Sequence, residues 1–199
     1  MSILESVEKI DRDLFVLINR DGNIYFLDSL MLALRNPLTW IPLYIFILWW
    51  SITRLKKKAS VFLFFSILTI AITDPLAASV FKPFFERLRP CAEPSLAGIV
   101  HILEGCGGKY SFPSNHAANH FGLAAFWFVS IRRMSDQNWW WLWVWAFVIC
   151  YAQVYVGKHY PGDILGGAFL GISIGMINYQ AFKWLLDKSQ KKSDPHTPV

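Results

Sequence analysis

The feature that most restricts this chain is a series of long apolar runs separated by short basic clusters. Residues 38–53 and 59–81 are two such runs, with Arg54-Leu55-Lys56-Lys57-Lys58 between them. Three more follow at 115–131, 139–156 and 163–186. The first of these ends at Arg132-Arg133, the second is entered through Trp139, Trp140 and Trp141, and the third ends in lysines. A bilayer core of ~30 Å takes ~20 apolar residues of helix, so each run reads as one crossing. Hydrophobic residues make up 54% of the chain, aromatic 17% and charged 17%, which is more apolar than an ordinary soluble domain. Five or six spanning helices fill most of the 199 residues and leave no room for a second folded domain. The expected fold is an all-α integral membrane helical bundle.

Ahead of these runs, Ile3, Val7, Ile10, Leu14, Leu17 and Ile18 recur at helical spacing among Glu5, Glu8, Asp11, Arg12 and Asp13. Residues 1–23 therefore read as an amphipathic helix lying at the membrane interface. Residues 24–34 are apolar but too short to cross unaided, so they read as a re-entrant segment or sixth span. The transmembrane domain is assigned to 24–186 and a polar cytoplasmic tail to 187–199. No apolar segment with a small-residue cleavage site opens the chain, so its first residues are expected to stay in the mature protein.

A net charge of +5 is compatible with a nucleic-acid binder, but the basic residues sit where apolar runs end. If the five runs alternate in direction, the clusters at 54–58, 132–133 and 183–192 share one side, the cytoplasm by the positive-inside rule. Segments 82–112 and 157–162 then face outward. Within the last run Gly167, Gly171 and Gly175 recur every four residues, a spacing that lets helices pack closely.

Three polar groups gather on that outer face: Lys82 with Arg89-Pro90, Pro113-Ser114-Asn115-His116, and His159-Tyr160-Pro161-Gly162-Asp163. Two cations, two histidines, a carboxylate and a helix start make an anion site suited to phosphoryl transfer. Lys82 and Arg89 are placed to clamp phosphate oxygens, although basic residues near helix ends also serve simply as headgroup anchors. Ser114 suits the N-cap of the third run, where free N–H groups and the helix dipole attract an anion. His116, in the first turn after it, is the candidate general acid. Asp163 follows His159 by four residues, so a turn at Pro161-Gly162 returns the carboxylate to the imidazole and makes His159 the candidate nucleophile. His101 and His120 lack such partners and are left as structural or of unknown role. Asp74 lies inside the second run, where a carboxylate needs a partner or water; a supporting role is expected.

These residues resemble the motifs of the type 2 phosphatidic acid phosphatase family, which includes vanadium haloperoxidases and bacterial lipid phosphatases. Lys82 through Pro90 matches Lys, six residues, Arg-Pro. Pro113-Ser114-Asn115-His116 stands for Pro-Ser-Gly-His. Ala152-Gln153 through His159 to Asp163 stands for Ser-Arg, five residues, His, three residues, Asp. The resemblance implies a phosphohistidine formed on His159, oriented by Asp163, with His116 protonating the leaving group. It implies phosphate binding by Lys82, Arg89 and Ser114 and at the two departing positions, Asn115, which keeps the backbone N–H while adding bulk, and Gln153, and it implies no metal and no cofactor.

Gln153 replaces a phosphate-binding arginine and so removes a charge, keeping only a neutral donor. Arg87, close to Arg89 in sequence, is a candidate for compensating. By the resemblance the chain is a bacterial inner-membrane enzyme whose site faces the periplasm or cell exterior. It would hydrolyse undecaprenyl diphosphate, phosphatidylglycerol phosphate, phosphatidic acid or a lipid A phosphate. The alternatives are a lipid phosphotransferase using the same intermediate and a non-catalytic lipid-binding protein. Cys91 and Cys106 fall in the outward segment and are expected to pair if that space is oxidising, the alternative being two incidental loop cysteines.

Overall fold

The computed structural model describes residues 2–193. Its helices are α1 Ile3–Val16, α2 Tyr25–Arg35, α3 Ile41–Trp50, α4 Ala59–Pro75, a short α5 Lys82–Phe85, α6 Asn115–Ser135, α7 Trp141–Tyr155 and α8 Pro161–Ser193. Among the described residues the extended structure is limited to one bridge, between Leu88 and Tyr110. The fold is all-helical, as expected.

Two helical stretches, Pro37–Phe85 and Pro161–Ser189, are long and apolar enough to cross a bilayer. The first doubles back: Lys56 takes a left-handed φ of 51°, and the rings of Trp50 and Phe62 lie 6.4 Å apart. A continuous helix would separate those residues by about 18 Å. The apolar helix Trp141–Tyr155 is shorter. α6 carries Asn115, His116, Asn119 and His120 at one end and Arg132 and Arg133 at the other. Polar residues thus dilute its hydropathy without shortening it.

Neighbouring helices alternate in direction. α4 and α6 run antiparallel, because Phe62 stacks on Phe126 while Thr73, one end further on, bonds Asn119. α6 and α7 do the same, with His120 against Trp145 and Phe128 against Trp140. α3 is antiparallel to α7 through Trp40 with Trp145 and Trp50 with Trp139. α6 and α8 are parallel and form the most intimate pair. A Cβ on Gly167, Gly171 or Gly175 would overlap the backbone carbonyl of Ser114, Ala118 or Gly122, in that order. The close packing expected of this glycine stripe is therefore present.

These directions place Arg54, Lys56–Lys58, Arg132, Arg133 and the C-terminal part of α8 at one end. The opposite end collects the start of α6, the α7–α8 connection and residues 82–112. Large apolar side chains also face outward along α4, α7 and α8, with Phe169 77% exposed. An apolar exterior over an aromatic interior of Phe62, Phe65, Phe126 and Phe182 is the build of a bilayer protein.

α1 opens with a reciprocal cap between Ser2 and Glu5 and continues as a π-helical turn, Leu17–Asp21. Ile3, Val7, Ile10, Leu14 and Leu17 stay on its outer side, while Phe15 and Asn19 are buried. Asn19 donates to the carbonyls of His101 and Tyr155 and accepts from the His101 amide, tying the first helix to the loop between α5 and α6 and to α7. Residues 187–193, assigned from sequence to a polar tail, continue α8, and 194–199 lie outside the described residues.

Candidate active site

The start of α6 is fixed by α8. The Ser114 amide donates to the Asp163 carbonyl at 3.0 Å, and the Ser114 hydroxyl caps the helix by accepting from the Ala117 amide at 3.4 Å. His116 lies in the first turn and His120 one turn later, their rings stacked at 6.0 Å. Nδ1 of His120 is 2.7 Å from the His116 carbonyl. His120 thus backs His116, an i, i+4 spacing visible in the sequence that gives His120 the partner its reading lacks.

Asn115 does not present its amide to the site. Its Nδ2 donates to Asp74 Oδ1 at 2.9 Å, beside a second donation from Asn119 at 3.0 Å. Asp74, within an apolar helix, needs those donors, so the Asn115 side chain supports Asp74 and leaves only its backbone N–H for the site. The supporting place expected of Asp74 fits this bracing of α4 against α6.

His159 lies between α7 and α8 and is 2% exposed. Its Nδ1 is 3.4 Å from Asp163 Oδ2, which also accepts the Tyr160 amide at 2.9 Å. Asp163 Oδ1 accepts from Arg87 at 2.9 Å and from the Ser111 hydroxyl at 3.3 Å. Burial pushes the His159 imidazole down to about 4, against the opposing pull of Asp163, so the ring is neutral at neutral pH.

Arg87 takes a different place from the compensating phosphate ligand expected of it. One amino group serves Asp163 and the other donates to Asp11 of α1 at 2.6 Å. Its guanidinium also lies over the Tyr160 ring, 4.1 Å from the centroid. Asp11 in turn accepts the Gly162 amide at 2.7 Å. With both ends on carboxylates, Arg87 orients Asp163.

Arg89 is held by backbone. Its own amide donates to the Lys109 carbonyl and the Ser111 amide to the Arg87 carbonyl, making a short ladder. Its side chain donates to the carbonyls of Tyr110 at 3.1 Å and Lys158 at 3.4 Å. The segment beyond is closed by a Cys91–Cys106 disulfide.

Charge interactions link the parts: His116 feels His159, Lys82 and Arg35, and His159 feels Arg89 and Lys82. Lys82, Arg89, Ser114, His116, His159 and Asp163 are thus brought together at one end of the bundle. Gln153 is 1% exposed, and its Nε2 lacks a hydrogen-bond partner among the described residues. Arg35, Lys158, Asp11 and Ser111 also belong to this region and were not singled out from sequence. Lys158 was signalled by its place beside His159, whereas Arg35 and Asp11 arrive from distant helices.

An open cavity of about 590 Å³ adjoins the Arg87–Asp11 pair, walled by Val7, Ile10, Leu14, Phe85, Phe112 and Leu165. A second of about 280 Å³ shares Phe85 and Phe112 with it and lies among Phe81, Phe169 and Leu170.

The family model of the PAP2 superfamily matches residues 59–187. A lipid A 4'-phosphatase of Bacteroides thetaiotaomicron is 33% identical, over 99% of this chain and 86% of that protein. A putative undecaprenyl-diphosphatase, YbjG of Escherichia coli, is 29% identical over 87% of this chain and 83% of its own length. Among solved structures, LpxE of Aquifex aeolicus superposes with a TM-score of 0.63 at 29% identity, covering 86% of this chain and 95% of that one. The chain belongs to the PAP2 superfamily, in its membrane lipid phosphatase branch, and is a lipid phosphate hydrolase.

Proposed function

We propose that this enzyme removes phosphate from a membrane lipid at the outer face of the bacterial inner membrane through a phosphohistidine on His159. The observation that carries the reading is the buried His159, neutral and held by Asp163, within the field of Lys82 and Arg89 and coupled to His116.

With Nδ1–H turned to Asp163, the lone pair on Nε2 of His159 attacks phosphorus as the bond from phosphorus to the lipid oxygen breaks. Lys82, Arg89 and the α6 start hold the three phosphoryl oxygens. The leaving oxygen takes a proton from His116. A water then gives its proton back to His116 and attacks the phosphohistidine, releasing inorganic phosphate and restoring His159. Arg87 and Ser111 keep Asp163 aimed throughout.

Five helices, α3, α4, α6, α7 and α8, cross the bilayer in this reading, with α2 packed at the outer end. The gathering of basic clusters at the far end supports it, since such clusters remain in the cytoplasm. Tails of the lipid substrate would lie along the apolar cavities flanking Phe112. Lipid A phosphate is the leading substrate, because the relatives that cover nearly the whole chain are named for it.

The test is phosphate release from lipid A, undecaprenyl diphosphate, phosphatidylglycerol phosphate and phosphatidic acid by purified protein. Release confined to the intact enzyme and lost in His159→Ala is the expected result. Equal release by His159→Ala would remove the nucleophile. Phosphate recovered on a lipid acceptor in place of solution would make the enzyme a transferase.

A further inference from the structure

Arg35 ends α2, and that helix packs against the final turns of α7: Met31 lies in one cluster with Ala152, Tyr155 and Val156. Asp28, on the same face, accepts the Tyr155 hydroxyl at 2.9 Å. Asp28, Met31 and Arg35 follow the i, i+3, i+7 spacing of one helical stripe. At the end of this stripe Arg35 reaches toward the α7–α8 connection, where Lys158 lies. Its side chain is 15% exposed, and its Nε has no partner among the described residues.

Arg35 shares one carboxylate with Lys158. Glu104, on the loop closed by the Cys91–Cys106 disulfide, pairs with the Arg35 guanidinium and lies 3.6 Å from the Lys158 ammonium. The Lys158 ammonium also donates to the Gly105 carbonyl, and its own carbonyl accepts from Arg89. Arg35, Arg89 and Lys158 repel one another, and Arg35 acts on His116. Three cations near the leaving-group acid, two of them sharing a single half-exposed carboxylate, leave positive charge to spare.

We propose that Arg35 binds the substrate phosphate, supplying from α2 the charge that Gln153 does not supply from α7, and that Glu104 is an internal counter-ion displaced on binding. A phosphate dianion offers Arg35 two oxygens in the fork geometry a carboxylate offers, with more charge. Glu104 can retire to solvent when phosphate enters, because its side chain is 53% exposed. The inference rests on the phosphatase reading of this site.

Two measurements test it: KM and kcat for lipid phosphate release, and stabilisation of the detergent-solubilised protein against heat by inorganic phosphate, which needs no turnover. Arg35→Ala is expected to raise KM by about tenfold or more, the scale of one charge-assisted hydrogen bond, and to remove the stabilisation by phosphate. Arg35→Lys should keep part of both, and adding Gln153→Arg to Arg35→Ala should restore both. Glu104→Gln should lower KM, since the competing anion is gone. Unchanged KM and unchanged phosphate stabilisation in Arg35→Ala would overturn the inference while leaving the phosphohistidine reading intact. A wild-type protein that forms no phosphohistidine, yet loses phosphate stabilisation on Arg35→Ala, would sink that reading and keep the inference.

Discussion

The Ser114 amide donates to the Asp163 carbonyl across 3.0 Å, so the start of α6 and the first turn of α8 are placed as one unit. Three of the roles assigned at the site, the cap at Ser114, the acid at His116 and the carboxylate at Asp163, depend on how closely these two helices approach. That approach is set by glycines on α8 that meet the carbonyls of α6, from Gly167 at Ser114 to Gly175 at Gly122 about two turns on.

Gly171→Ala adds a Cβ where the Ala118 carbonyl and Gly122 amide already sit. The helices must part, at a cost of about 1–3 kcal/mol for overpacking. Thermal unfolding in detergent should report the loss, and kcat should fall with it although residue 171 never meets substrate. A variant that melts and turns over like the wild type would show that the contact yields freely.

Arg87→Ala removes the donor that holds Asp163 Oδ1 at 2.9 Å and leaves Asp11 with the Gly162 amide but without its cation. Losing a hydrogen bond to a charged partner of about 1.5–3 kcal/mol corresponds to roughly ten- to hundredfold in kcat, with KM little changed. Steady-state kinetics on one lipid phosphate decide this. A rise in KM at constant kcat would instead make Arg87 a phosphate ligand.

The His159 imidazole, ordinarily at 6.5, is pushed down to about 4 chiefly by burial. Between those values the unfolded chain binds a proton that the folded one refuses. Stability contributed at this position is complete above 6.5 and declines as pH falls toward about 4. Melting temperatures across that range should drop in the wild type and drop less in His159→Gln. Histidine-labelled NMR should find a ring that stays neutral at pH 5.5.

Reduction of the Cys91–Cys106 disulfide, which closes a separation of 15 residues, should cost about 2–4 kcal/mol. The loop carries Glu104 and adjoins the Arg89 ladder, so activity should weaken as well as stability. Melting with and without reductant, with a thiol count on the unreduced protein, checks both; two free thiols in that protein would remove the bridge.

The helices were legible because apolar length and periodicity are local properties. Residues 38–53, 59–81 and 139–156 fall within a few residues of the helical runs found, and the segment 24–34 became α2. The last helix continues past the apolar run, since Asp187 and Lys188 lie on it and Arg133 pairs with Asp187. The cluster of His116, His159 and Asp163 was legible from motif spacing. Arg35 and Asp11 were not, because a side chain's reach across the bundle leaves no local periodic trace. Asn115 and Arg87 sat at plausible positions, but nearby carboxylates, Asp74 for one and Asp11 with Asp163 for the other, claimed their donors.

The parallel course of α6 and α8 has an electrostatic consequence. Two like-oriented peptide dipoles side by side oppose each other, most strongly at their starts. On α8 the Asp11 carboxylate accepts the Gly162 amide and the Asp163 carboxylate lies in the first turn, so negative side chains offset that repulsion while the glycine contacts hold the two helices together.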